Sequence, residues 1–302
     1  MKRLLKVLST IIASVVLCLG CFSMAGCGAD IRTAKVKVQL YDFYKSEFYT
    51  ESEVTMSIDL YAHLAPKSVE AIEKYINNGY YDNAIFYKYA DYEQIMVGDL
   101  LLDGDSLVTE DGGAKVNIIK NTIKPKLPGE FTHGGTVGSD LLNKKGSIGL
   151  WRGWYENSNN WTTSTDAYNS GTSTLFMPME SLSAYDGFFC VLGQIDLENE
   201  ANETAFEGIV DVFSDQDYYT RMIIYYTEKD GGYDATKDDY NLEFHCVTYD
   251  YYNNLSSEEK EALNIFEPEG AQIENFERQE IYVPTDPSNG KCYAKIKSAR
   301  MA

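Results

Sequence analysis

Between Lys35 and Leu60 the chain carries two runs in which every second residue is apolar: Val36, Val38 and Leu40, then Val54, Met56, Ile58 and Leu60. Strand side chains alternate between two faces, so this pattern predicts an antiparallel pair with one buried face. The period then changes. Ala65-Pro66-Lys67-Ser68 puts proline in the first turn of a helix, and Val69, Ile72 and Ile76 recur at helical spacing until Gly79 stops it. Short apolar segments follow at 85–87, 94–97, 147–151, 174–177 and 188–192, flanked by Gly, Asp or Asn. Many short strands separated by turn signals suggest a barrel or a sandwich. A second helix fits 204–213, and the ending from Lys291 to Met301 alternates Cys292, Ala294 and Ile296 as a closing strand. Before that ending, residues 214–289 are acidic and rich in tyrosine. They hold an apolar run from Met222 to Tyr226, a strand from Leu242 to Val247, and a helix opened by the capping box Ser256-x-x-Glu259. Because the closing strand comes after it, this stretch reads as an α+β insertion on the barrel.

The first 26 residues are of another kind. Lys2, Arg3 and Lys6 precede the apolar run Val7 to Leu19, the charge-then-hydrophobe order of a secretory signal. Met24-Ala25-Gly26-Cys27 resembles the bacterial lipobox, in which the cysteine thiol is acylated and the chain is cut just before it. A cut before Cys21 and an ordinary signal peptide cut nearby are the alternatives. The lipobox reading implies a bacterial lipoprotein outside the cytoplasm, anchored to the membrane through Cys27, with 27–34 as its tether.

Charge narrows the partners. Taking away the three basic residues of 1–26 leaves 23 basic against 46 acidic side chains, a net charge of −23. Phosphate backbones would be repelled, which argues against nucleic acid. After Cys27 only Cys190, Cys246 and Cys292 remain, an odd, widely spaced set that forms no disulfide framework. His63, His133 and His245 are scattered, and no metal or cofactor is expected.

Several pieces occur in a fixed order: Ile58-Asp-Leu-Tyr-Ala-His-Leu-Ala-Pro-Lys-Ser-Val69, Ile76-Asn-Asn-Gly-Tyr-Tyr-Asp82, Phe86-Tyr-Lys88 and Val97-Gly-Asp99. Gly146-Ser-Ile-Gly-Leu-Trp-Arg152, Ser173-Thr-Leu-Phe-Met177, Tyr185-Asp-Gly-Phe-Phe-Cys-Val-Leu-Gly193 and Glu207-Gly-Ile-Val-Asp211 continue it. In order and spacing they resemble cyclophilin-type peptidyl-prolyl isomerases over residues 35–213, with the last strand in 290–302. The resemblance implies a mainly β fold, a closed antiparallel barrel of about eight strands capped by two helices.

It also implies a site. Such enzymes hold a proline ring in an apolar pocket and give the X–Pro amide a hydrogen-bond donor as the bond twists, without a cofactor. The resemblance puts Lys88 in the place of the family's donor arginine. It puts Glu93 at a pocket phenylalanine, Met96 and Thr174 at two glutamines, Phe189 at a histidine and Trp151 at an alanine, while Phe176 keeps the ring of the pocket floor. With Phe86 these are the expected substrate-binding residues. Lysine lacks the planar fork of arginine, so the exchange is not conservative at such a site. Weak isomerase activity on proline-containing segments of exported proteins is expected.

A rival reading comes from 151–170, where Trp151, Trp154, Tyr155, Trp161 and Tyr168 stand among Asn, Ser, Thr and Gly. Aromatic faces among small polar groups suit a glycan or an extended peptide. That composition fits a cell-surface binding module without catalysis, or a lid over the barrel mouth.

Overall fold

The computed structural model describes residues 29–49, 54–104, 106–107, 109–110, 113–132, 141–152, 156–157, 160–161, 168–234, 239–265, 278–286 and 290–302. The expected leader, Cys27, His133, Trp154 and Tyr155 lie outside them, as does the side chain of Trp161. Strand β1 (Ile31–Asp42) pairs antiparallel with β2 (Thr55–Tyr61), so the alternation read from sequence becomes a ladder. The strand begins at Ile31 and not at Lys35, because Ile31 to Ala34 pair with Tyr61 to Ile58; part of the expected tether is strand.

Helix α1 (Pro66–Asn77) buries Ser68, Val69, Ile72 and Ile76. Its N-cap, Ala65, has no side-chain acceptor, and Glu130 supplies one from a distant loop. The Glu130 carboxylate accepts hydrogen bonds from the backbone N–H groups of Lys67 at 3.1 Å and Ser68 at 2.7 Å. This fills the role of a capping residue at a helix start that would otherwise leave donors unpaired.

Six further strands complete the barrel: β3 (Ala84–Tyr89), β4 (Gln94–Leu102), β6 (Ser147–Leu150), β7 (Leu175–Pro178), β8 (Cys190–Ile195) and β12 (Ala294–Met301), with β5 (Ile118–Lys120) added beside β4. The order β3-β12-β1-β2-β8-β6-β7-β4 closes on itself because β4 pairs with β3. All eight neighbours are antiparallel. Helix α2 (Glu200–Asp211) packs on β1 and β2, and α1 packs on β12 and β2. Helix α2 starts before Thr204 because the Asn199 side chain accepts from the N–H groups of Ala201 and Asn202.

The stretch before the last strand folds into the long hairpin β9 (Thr220–Asp234) and β10 (Asp239–Thr248), then α3 (Tyr249–Asn254), α4 (Ser257–Ala262) and β11 (Gln279–Val283). The capping box at Ser256 and Glu259 is present. Strand β11 takes up the edge of β3 where β12 leaves it: β12 meets β3 at Ile85, and β11 meets it at Lys88 and Tyr89.

The insertion thereby gives the barrel wall a second buried face. Ala84 and Phe86 of β3 point into the barrel core, whereas Ile85, Tyr87 and Tyr89 enter a second core with Met96, Leu100 and Leu102 of β4. Met222 and Ile224 of β9, Cys246 of β10, and Ile281 and Val283 of β11 close that core from the other side. A strand buried on both faces reads as a continuous apolar run, which explains the unbroken Ala84 to Tyr87. Cys190, Cys246 and Cys292 are all buried, and none of the three is joined in a disulfide. No described helix is long and apolar enough to cross a membrane.

Candidate functional site

The candidate site lies on the outer side of the β4–β7–β6 wall. Phe176 of β7 stands in register with Met96 of β4 on one side and Gly149 of β6 on the other. Its ring lies flat against Gly149, where a Cβ would sit 2.2 Å from ring carbons. Gly98 has a comparable reason to be glycine. Its φ is +116°, and a Cβ there would meet the Tyr81 ring and the Ser173 carbonyl at 2.8 Å.

Above Phe176 three rings form a stack. Trp151 lies parallel to Phe189 at 5.3 Å, and Phe189 to Tyr185 at 4.6 Å. Phe176 meets all three edge-on, at 5.9, 5.4 and 6.1 Å. Such offset and T-shaped contacts each add roughly 0.5–1.5 kcal/mol beyond area burial. The packing leaves Phe176 0% and Phe189 1% exposed, while Trp151 and Tyr185 each reach solvent with 9%. Tyr92 closes on the outer edge of Trp151 at 6.0 Å.

Of the residues expected at the site, the structure therefore gathers Phe176, Met96, Trp151 and Phe189. Thr174 adjoins them, buried, its carbonyl accepting the Trp151 N–H at 2.8 Å. Phe86 belongs to the barrel core on the other side of the wall. Glu93 is exposed, and its carbonyl accepts the Met179 N–H at 3.1 Å.

Lys88 is separated from the cluster by alternation. Its cross-strand partner is Ile95, which faces the barrel core, whereas Tyr87 pairs with Met96, which faces Phe176. Lys88 and Phe176 thus stand on opposite faces of the wall. The Lys88 ammonium lies over the ring of Tyr282, 5.7 Å from its centroid, and no described carboxylate pairs with it.

Three side chains at the cluster were not singled out from sequence. Tyr185 and Phe189 share the Tyr185-Asp-Gly-Phe-Phe turn, so Tyr185 was within reach of a closer reading. Gln94 is two residues before Met96 and on the same face; its Nε2 lies 3.4 Å from the Tyr185 hydroxyl. Arg152 is buried, with Nε donating to the Phe188 carbonyl at 2.8 Å. Its guanidinium sits 5.6, 5.2 and 4.8 Å from the rings of Phe131, Tyr168 and Phe189. Burial pulls the Arg152 pKa down to about 10. Among the described residues no group of His, Cys, Asp or Glu is placed to hold a metal.

An eight-stranded closed antiparallel barrel with two helices and a ring-lined outer wall is the architecture of the cyclophilin fold. Residues 46–224, more than half of the chain, match the family model for cyclophilin type peptidyl-prolyl cis-trans isomerase/CLD, and the chain belongs to this family. Membership supports a peptidyl-prolyl isomerase-like function. Two solved structures of a cyclophilin type peptidyl-prolyl cis-trans isomerase from Cryptosporidium parvum are similar to the chain. One, in the presence of the dipeptide Ala-Pro, has 15% identity and a TM-score of 0.33, covering 57% of this chain and 84% of that one. The other has 14% identity and a TM-score of 0.34, covering 59% and 84%. No curated protein matches the chain.

Proposed function

We propose that the protein is a cyclophilin-like module, lipid-anchored at Cys27 outside a bacterial cytoplasm, that binds X–Pro segments of exported proteins and isomerises them slowly. The observation that carries the slow rate is the placement of Lys88 and Phe176 on opposite faces of one wall. Rotating an X–Pro amide means crossing a barrier of about 18–20 kcal/mol, and a donor preorganised beside the twisting bond is what lowers it. Here the side chain in the donor's position points away from the pocket floor. Binding draws on the apolar cluster, which suits a proline ring; the basic-then-apolar start and the Cys27 motif support the export and the tether.

A protease-coupled assay on a short X–Pro peptide tests the proposal. A slow but measurable rate is expected, changed less than twofold by Lys88→Arg; a rate equal to that of an ordinary cyclophilin would overturn it. The tether has its own test, since fatty-acid labelling should mark the parent and not Cys27→Ala. The second reading, a non-catalytic module for peptide or glycan, draws on the complete covering of Phe176 by the chain's own rings. Binding with no isomerisation would favour it.

A further inference from the structure

We infer that Gln94 is the amide-recognising group of the Phe176 site and that the Trp151 indole occupies the place a substrate proline would take. The inference rests on the proposed binding of X–Pro segments and assigns it two residues.

Gln94 is 1% exposed, and its one described side-chain partner is the Tyr185 hydroxyl. The other polar atom, Oε1, has none. Buried amide groups are almost always satisfied, so an orphan at the edge of an aromatic cluster asks for a missing partner. Turning the amide over does not remove it, because Nε2 is then the orphan. Gln94 pairs with Pro178 of β7, two residues from the Phe176–Met96 pair, and shares the face of Met96. A segment lying across β4 and β7 would set its ring against Phe176 and bring a flanking peptide N–H or carbonyl to Gln94. Proline itself has no N–H to give, so this contact reads the residue beside it.

Trp151 is the ring that can leave. It stands at the end of β6, reaches solvent, and is held by ring contacts and by one backbone hydrogen bond to Thr174. Swinging it outward uncovers Phe176 and one face of Phe189, a slot lined by Met96. The remaining Phe189–Tyr185 stack stays in place to form its wall.

The experiment uses the protein with Trp154→Phe and Trp161→Phe, which leaves Trp151 as the only indole. It is titrated with acetyl-Ala-Ala-Pro-Ala-amide and with the same peptide carrying Ala for Pro, by fluorescence and by calorimetry. The proline peptide is expected to bind and to shift the Trp151 emission to the red, and the alanine peptide to do neither. Gln94→Leu should weaken binding about fivefold, the worth of one hydrogen bond. Trp151→Ala, or Trp151→Val where the alanine variant lacks a sharp thermal transition, should tighten it several-fold. Binding with a silent Trp151, or unaffected by Gln94→Leu, overturns the inference and leaves the proposed function standing. Binding by Trp151→Ala but not by the parent supports the inference and removes the proposed function. Binding by neither removes both.

Discussion

Lys88 and Tyr282 are cross-strand neighbours, one on the barrel and the other on the last strand of the insertion, with the ammonium over the phenol ring. Tyr282 in turn stacks on Tyr219 at 4.5 Å. The insertion therefore does more than decorate the surface. It borders the barrel at Lys88, and it roofs the opposite face of the same strand with the second core.

Tyr282→Leu should reduce stability by about 1–2 kcal/mol, since it removes a cation–π contact of roughly 0.5–1 kcal/mol and a ring stack of similar size. Tyr282→Phe keeps both and should cost less than about 0.5 kcal/mol. Urea unfolding of the two variants checks this, and equal midpoints would show that the ladder of rings contributes nothing.

Gly149→Ala should be costly although it adds a single methyl group. The new Cβ would fall 2.2 Å from the Phe176 ring, which Trp151, Phe189 and Tyr185 pack against in the folded protein. Overpacking of this kind costs about 1–3 kcal/mol. A lower melting temperature together with a changed near-UV circular dichroism spectrum is expected. An unchanged spectrum would mean that the ring relocates without disturbing its neighbours.

Much of this was legible in the sequence, for identifiable reasons. The strands β1 and β2 and the helix from Pro66 carry their periods in contiguous residues, and eight short motifs in order carried the barrel. The members of the aromatic cluster were legible as well, since Trp151, Phe176 and Phe189 sit inside those motifs. What sequence could not supply is register. Period-2 alternation gives Tyr87 and Lys88 opposite faces, yet only the pairing of Tyr87 with Met96 and Lys88 with Ile95 says which face belongs to Phe176. Glu130 as the cap of a helix that starts 64 residues before it is equally non-local. So is the second core, assembled from β3, β4 and strands more than a hundred residues later.

The contribution of Lys120 should vanish in alkali. Its ammonium pairs with Asp99 at 2.8 Å, Asp99 also accepts from the Tyr87 hydroxyl at 3.0 Å, and the cation lies 6.0 Å from the Tyr226 and Phe244 rings of the insertion. Burial opposes the charge, but Asp99 and then Tyr226 and Tyr89 outweigh it, and the pKa is raised. A group with a raised folded pKa stabilises fully below its unfolded value, about 10.4 for lysine, and loses that stabilisation as pH climbs toward the folded value. The parent should therefore exceed Lys120→Met by about 1–2 kcal/mol from pH 7 to about 10, with the gap closing above that. Melting curves of both proteins across this range decide it; a gap that opens only in alkali would contradict the assignment.

A chain ending at Asn289 should lose cooperative folding. Strand β12 pairs with β1 from Ala34↔Met301 to Leu40↔Ala294, with an irregularity after Lys37, and reaches β3 through Lys295↔Ile85. Removing it opens two edges in a barrel that otherwise has none, and takes Ala294, Ile296 and Ala299 out of the core. The insertion offers no substitute, because β11 covers only the far end of β3, at Lys88 and Tyr89. Strand β1 would face solvent on one side along most of its length while its apolar residues lost their neighbours. The expected result is a broad thermal transition, dye binding to exposed apolar surface, and association of chains through the open edges. A sharp transition with the parent's enthalpy would mean that the barrel closes without its last strand, and the order β3-β12-β1 would then not be what holds the wall together.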